Sequence, residues 1–209
     1  MILAIETSLR SASISVYNNN RELGFYIFGE DEPISQNLVP GIKTLFKDVG
    51  ISSQEITSVA VSNGPGSLTG IRVGISVGLG LAYSWGVNCL GIALTEAMRS
   101  IIKEDTVMAI VAAGKTQCYF HYFSSQNNQL FLVNNEDVAE KLSNYGEGNV
   151  VVIKGIEQLI QNTESIRLVI FSENPSKLIA KNAQLLIENE IENPPNPIYL
   201  QANTFKKAV

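Results

Sequence analysis

Apolar positions mark out a regular succession of elements. Ile2–Ile5 is a continuous apolar run of the kind a buried strand carries, and Ala12-Ser-Ile14-Ser-Val16-Tyr17 alternates like a half-exposed one. Asn18-Asn19-Asn20 signals a turn into Glu22–Phe28, so three hairpin-linked strands are expected at the start of the chain. Leu38, Ile42, Leu45, Phe46 and Val49 then fall at helical spacing, with Ser35 or Asn37 as candidate caps, Pro40 in the early turns and Gly50 as the stop. A strand over Ile56–Val61, a turn at Gly64-Pro65-Gly66, a helix over Ser67–Trp85 and a strand over Cys89–Leu94 follow. After a helical stretch at Glu96–Ile102, strands are expected at Val107–Ala112, Gln117–Phe123, Val150–Ile153 and Leu168–Phe171, and a helix at Pro175–Glu188. The polar stretch Ser124–Gly148 reads as loop, and no internal repeat is evident in the sequence.

The helix over Ser67–Trp85 carries small residues at every fourth position: Gly66, Gly70, Gly74, Gly78 and Ala82. That spacing places them on one helical face. Each glycine in a helix costs about 1 kcal/mol relative to alanine, so the face is expected to make a very close backbone contact. Arg72 is the only charge, and Ile71, Val73, Ile75, Val77, Leu79, Leu81 and Tyr83 spread apolar surface around the remaining faces. A helix apolar all round is covered on all sides, and a second subunit is the expected cover. Three other readings compete: a bilayer span over the uncharged Val73–Leu94, a phosphate loop at Gly64–Gly70 without the Walker lysine, and an internal helix packed wholly against its own chain.

Composition adds exclusions. The 209 residues are 45% hydrophobic and 17% charged with a mean hydropathy of +0.11, which describes a globular protein of one large or two small domains. A net charge of −5 and a pI near 5.0 argue against autonomous nucleic-acid binding, which relies on Lys and Arg neutralising phosphates. Lys206-Lys207 is the only local concentration of lysine. The short run Ile2–Ile5 lacks a basic flank and is not read as a signal peptide, so a cytoplasmic location is expected. Cys89 and Cys118 lack CxxC spacing and read as buried free thiols; His121, the single histidine, cannot form a cluster. No catalytic residue, metal or cofactor is expected.

The strand and helix order βββαβα resembles one half of the duplicated actin/Hsp70/sugar-kinase (ASKHA) fold. Ile2-Leu-Ala-Ile-Glu-Thr-Ser8, Asn63-Gly-Pro-Gly-Ser-Leu-Thr-Gly-Ile-Arg-Val-Gly74 and Pro197-Ile-Tyr-Leu200 together make the chain resemble the TsaB (YeaZ) family, over nearly its whole length. The resemblance implies an α/β fold with a complete N-terminal half, residues 1–102, and a reduced C-terminal half, residues 103–209. It implies a non-catalytic role in threonylcarbamoylation of adenosine 37 of ANN-decoding tRNAs, through dimerisation with TsaD in an assembly that also includes the ATPase TsaE. A homodimer of the isolated chain is a further implied state, tRNA contact is only indirect, and no membrane is involved. In that family the two N-terminal helices form the intermolecular bundle, which here correspond to Ser35–Val49 and Ser67–Trp85. The expected partner interface is therefore Leu38, Ile42, Leu45, Phe46, Ser67, Gly70, Ile71, Gly74, Ile75, Gly78 and Ala82.

TsaD holds its metal with two histidines, and alignment of Val87–Met98 puts those positions at Leu94 and Met98, neither of which ligates a hard or borderline ion well. Glu6-Thr7-Ser8 stands where the fold usually has an aspartate in its first phosphate loop, and Lys154-Gly155 where an Asp-Gly turn is common. Ile34, Ala112 and Gln201 replace an expected histidine, aspartate and arginine of the family itself. These departures weigh against residual ligand binding and leave Glu6 and Thr7 with structural roles. A glycoprotease-type metallopeptidase is the alternative function, which the missing His pair disfavours; a small ATP-dependent kinase or phosphatase would need both phosphate loops.

Overall fold

The structure, a computed structural model, describes residues 1–145, 148–153, 156–160 and 166–199. They form two compact units, the first comprising Met1–Ala97 with Glu173–Pro197 and the second beginning at Met98. In the first unit, strands β1 (Ile2–Glu6), β2 (Ser13–Asn18) and β3 (Arg21–Ile27) precede helix α1 (Ile34–Val49), strand β4 (Ser58–Ser62), helix α2 (Leu68–Trp85) and strand β5 (Asn88–Ile92). The sheet order is β3-β2-β1-β4-β5, antiparallel through β3-β2-β1 and parallel through β1-β4-β5. The turn between β2 and β3 has Asn19 and Asn20 both at positive φ, as the tightest hairpins require.

Every residue of β1 is buried because both faces of the sheet are covered, which is why Ile2–Ile5 is continuously apolar and not alternating. On one face Leu3, Ile5, Ile14, Val16, Val59 and Val61 meet Leu38, Ile42 and Leu45 of α1 and Ile71, Ile75 and Ala82 of α2. On the other, Ala4 lies between Ser15 and Ala60 across the strands. These small side chains leave room for helix α5 (Pro175–Glu188), which packs on β1, β2, β4 and β5 and buries Leu178, Ile179, Ala180 and Ala183. Asn174 caps α5 by accepting from the Ser176 amide at 3.1 Å, and that amide also donates to Ser13 Oγ at 3.0 Å. Asn174 Nδ2 donates to Glu22 Oε1 (2.9 Å), and the Asn20 amide donates to Gln184 Oε1 (3.1 Å). The compact units thus depart from a linear division at residue 102: a helix expected in the C-terminal half completes the N-terminal sheet.

Helix α3 (Leu94–Arg99) leads out of the first unit and is shorter than the Glu96–Ile102 stretch suggested. In the second unit, β6 (Val107–Ala113), β7 (Gln117–Ser124), β8 (Asn127–Asn134), helix α4 (Val138–Tyr145), β9 (Gly148–Ile153) and β10 (Ile166–Phe171) build a sheet of order β8-β7-β6-β9-β10. Its pairings are antiparallel, antiparallel, parallel and parallel, the same succession as in the first sheet. The stretch Ser124–Gly148, expected to be loop, contains β8 and α4. Val138 and Leu142, four residues apart, enter the core with Met108, Phe120, Val133 and Val150, while Lys141 lies 3.8 Å above the Phe131 ring. The capping of α1 also differs from expectation: Pro33 occupies the N-cap with no side-chain bond, and Asn37 Nδ2 donates to Pro33 O at 3.2 Å. Among the described residues no helix is long and apolar enough to cross a membrane.

Candidate functional site

Helix α2 begins at Ser67, whose hydroxyl accepts from the Gly70 amide at 3.2 Å, and ends at Gly86, in the left-handed conformation. Its glycine face meets this chain's own sheet. A Cβ at Gly70 would run into Thr7 O, one at Gly74 into Thr7 Oγ1, and one at Gly78 into Val61 Cγ1. The Thr7 hydroxyl uses that proximity to donate to Gly70 O at 2.7 Å. The expected close backbone contact exists, but its partner is β1 with the residues that follow it, and β4. Gly70, Ile71, Gly74, Ile75, Gly78 and Ala82 of α2, with Leu38, Ile42, Leu45 and Phe46 of α1, are buried within the first unit. In the chain taken alone these side chains hold the two helices on the sheet, and of the eleven expected interface residues only Ser67 is exposed.

The face of α2 turned away from the sheet carries residues outside the eleven expected at the interface. Leu68, Arg72, Ser76, Leu79 and Tyr83 recur at helical spacing and are all exposed, Tyr83 at 92% and Leu68 and Leu79 at nearly half. On α1, which packs beside α2 with Phe46 and Trp85 rings 5.9 Å apart, Val39 and Lys43 are exposed as well. The signal was present in Arg72, Ser76 and Ser84, polar side chains that interrupt the helix on that side alone.

The loop before α2 is closed by the chain itself. The Ser67 amide donates to Ser8 O at 2.7 Å, so the Gly64–Gly70 segment faces the carbonyl oxygens of Thr7 and Ser8, acceptors that repel a phosphate. Glu6 is fully buried behind this loop; its Oε1 accepts from the Ser8 amide and hydroxyl, each at 2.5 Å, and from the Leu9 amide at 3.2 Å. Burial raises the Glu6 carboxyl above the usual range, outweighing the lowering effect of bonds from Ser62, Ser8 and Leu9. Its Oε2 is buried without a hydrogen-bond partner.

The native state therefore keeps the Glu6 proton to higher pH than the unfolded chain, where glutamate titrates near ~4.3. More protons are bound folded than unfolded between those two pKa values, so stability falls as pH rises through that window and levels off above the folded pKa. Glu6→Gln removes this dependence. In urea titrations the stability of the variant relative to the parent is expected to improve as pH rises above the unfolded glutamate value and then to level off; parallel curves would show that Glu6 ionises normally.

Leu94 and Met98, the positions aligned with the TsaD histidines, are fully buried in their respective units. Ile34 is the first residue of α1 and Ala112 lies in β6. Lys154-Gly155, Leu200, Gln201 and Lys206-Lys207 lie outside the described residues. His121 is buried, with Nε2 2.6 Å from Asn128 Oδ1 and its ring centroid 3.9 Å from that of Phe123. Burial pushes the Cys89 thiol up to about 11 and the Cys118 thiol to about 12, which leaves neither nucleophilic at neutral pH. Among the described residues no three His, Cys, Asp or Glu side chains are grouped to hold a metal ion.

These features describe an α/β protein of the actin/Hsp70-like kind. YeaZ from Pseudomonas aeruginosa superposes with a TM-score of 0.68 at 18% identity, covering 95% of this chain and 99% of that one. The chain belongs to the family of the tRNA N6-adenosine threonylcarbamoyltransferase TsaD, whose model matches residues 32–182. Among its relatives are the tRNA threonylcarbamoyladenosine biosynthesis proteins TsaB of two Buchnera aphidicola subspecies. That of Baizongia pistaciae is 29% identical over 152 residues, 68% of this chain and 66% of the relative. That of Acyrthosiphon pisum is 26% identical over 217 aligned positions, 91% of this chain and 96% of the relative. The alignment thus spans just under two thirds of the first relative's length and nearly all of the second's.

Proposed function

We propose that this chain is the TsaB-type, non-catalytic subunit of tRNA threonylcarbamoyladenosine synthesis, which docks on TsaD and supports its modification of adenosine 37. The observation that carries this reading is the alignment with the Acyrthosiphon pisum TsaB across 91% of the chain. The docking surface is assigned to α1 and α2, as the family resemblance implied, but to their outer side, where Leu68, Leu79 and Tyr83 leave apolar surface exposed. Large apolar side chains exposed together on one helix face are a common mark of a protein contact. In the same reading the second unit is a reduced copy of the first, TsaE joins the larger assembly, and the isolated chain pairs with itself when TsaD is absent. Buried Leu94 and Met98 disfavour the metallopeptidase alternative, because neither side chain ligates a hard or borderline metal ion well.

The test is reconstitution. This chain and TsaD of the same organism are expected to co-purify, and modification of tRNA is expected to fall to background when this chain is left out. The isolated chain, at a net charge of −5, is expected to give no gel shift with tRNA even at low salt. Full modification by TsaD alone, or chelator-sensitive proteolysis by this chain, would overturn the proposal.

A further inference from the structure

Strand β5 is an edge of the first sheet, and an edge strand offers its free N–H and C=O groups to any other chain. Here the offer is taken up in cis. Beyond α5 the chain turns back, with Glu190 at a φ of +56°, and runs past β5. The Gly91 amide donates to Asn193 O at 2.7 Å, and Asn193 Nδ2 donates to Gly91 O at 2.6 Å. Both outward backbone groups of Gly91 are satisfied by one residue.

Three features make this segment, Asn193–Pro197, a seal. Its fit depends on Gly91 having no side chain, since a Cβ there would come within 2.5 Å of Pro195 Cα and 3.1 Å of Pro194 O. Pro194, Pro195 and Pro197 carry no N–H, so the segment cannot pass the ladder on to a further strand. It is also lightly attached: Asn193, Pro194, Asn196 and Pro197 are exposed, and among the described residues its hydrogen bonds to β5 are the pair at Gly91. An element with little buried surface and few bonds opens locally without unfolding of the core.

We propose that Asn193–Pro197 is a detachable, autoinhibitory seal on the β5 edge, and that when it lifts the edge accepts the same segment from a second copy of the chain. The second copy is the occupant because its strap offers Gly91 the same acceptor, donor and proline surface that the cis strap offers, the condition under which segment exchange is inexpensive. The inference is independent of the docking face on α1 and α2.

The test uses the full chain carrying Tyr83→Glu, so that association through α2 does not contribute, with and without Asn193→Asp. Aspartate removes the donor to Gly91 O and places a carboxylate against that carbonyl. Hydrogen exchange followed by NMR is expected to show the Gly91 amide exchanging at least tenfold faster in Asn193→Asp, with the β1 and β4 amides unchanged. A peptide of residues 192–198 with the natural sequence, standing for the strap of a second copy, is expected to bind the Asn193→Asp chain in fluorescence anisotropy and not the chain whose strap is intact. Gly91→Ala, whose Cβ excludes the strap in cis and in trans alike, is expected to bind no peptide. Unchanged exchange at Gly91, faster exchange throughout the unit, or an Asn193→Asp chain that binds no peptide would each overturn the proposal.

Discussion

Gly70→Ala is expected to destabilise the first unit by about 2 kcal/mol, although alanine is the better helix former. Two effects oppose each other. Replacing a helical glycine gains about 1 kcal/mol of propensity. The added Cβ meets Thr7 O, a backbone atom that cannot swing aside, and overpacking against a rigid neighbour costs about 3 kcal/mol. Gly80 is the internal control, on the same helix with nothing within 4 Å of a built Cβ, so Gly80→Ala is expected to stabilise by up to about 1 kcal/mol. Urea denaturation of the pair checks the opposite signs. A Gly70→Ala chain of unchanged stability that no longer binds TsaD would return the glycine face to the interface.

The second large effect belongs to the opposite side of the helix. Tyr83 and Leu79 sit one turn apart, exposed at 92% and 46%, so charge at both positions costs the isolated fold almost nothing. If a partner covers them, Leu79→Glu with Tyr83→Glu buries two unpaired carboxylates at the contact. Buried aromatic anchors typically account for roughly 2–4 kcal/mol at such surfaces, which corresponds to roughly 30- to 1000-fold in affinity. Isothermal titration against TsaD is expected to show that loss, and tRNA modification to fall with it, at unchanged thermal stability. Wild-type affinity in the double variant would remove the docking face from α2.

The first unit was nearly all legible from periodicity, because its strands and helices are strongly patterned and joined by Gly, Pro and Asn signals. The glycine stripe correctly announced close packing, but a spacing of four cannot say what lies on the far side. The answer, Thr7, is 63 residues away along the chain from the Gly70 it bonds. The apolar content of α2 signalled a need for cover on every side, and within this chain the side that carries Leu68, Arg72, Ser76, Leu79 and Tyr83 is left open. In the second unit, Asn127, Asn128, Gln129, Asn134 and Asn135 masked β8, although Leu130–Val133 between them carries the apolar content of a strand. Burial of Glu6 was invisible, since a carboxylate after an apolar run reads equally well as the exposed end of a strand.

The place of α5 bears on how the protein is made. A ribosome delivers the sheet β3-β2-β1-β4-β5 well before the helix that covers one of its faces, since residues 173–197 come last in the first unit. Until then Ala4, Ala60 and the rest of that face stand uncovered, and Ser13 Oγ waits for an amide that has not been synthesised. A nascent chain halted near residue 150 is therefore a half-finished layer, suited to a chaperone or to aggregation. By the same token, the coding sequence can be cut between the units: a fragment ending before Glu173 should fold only when a separate peptide carrying α5 is supplied alongside it.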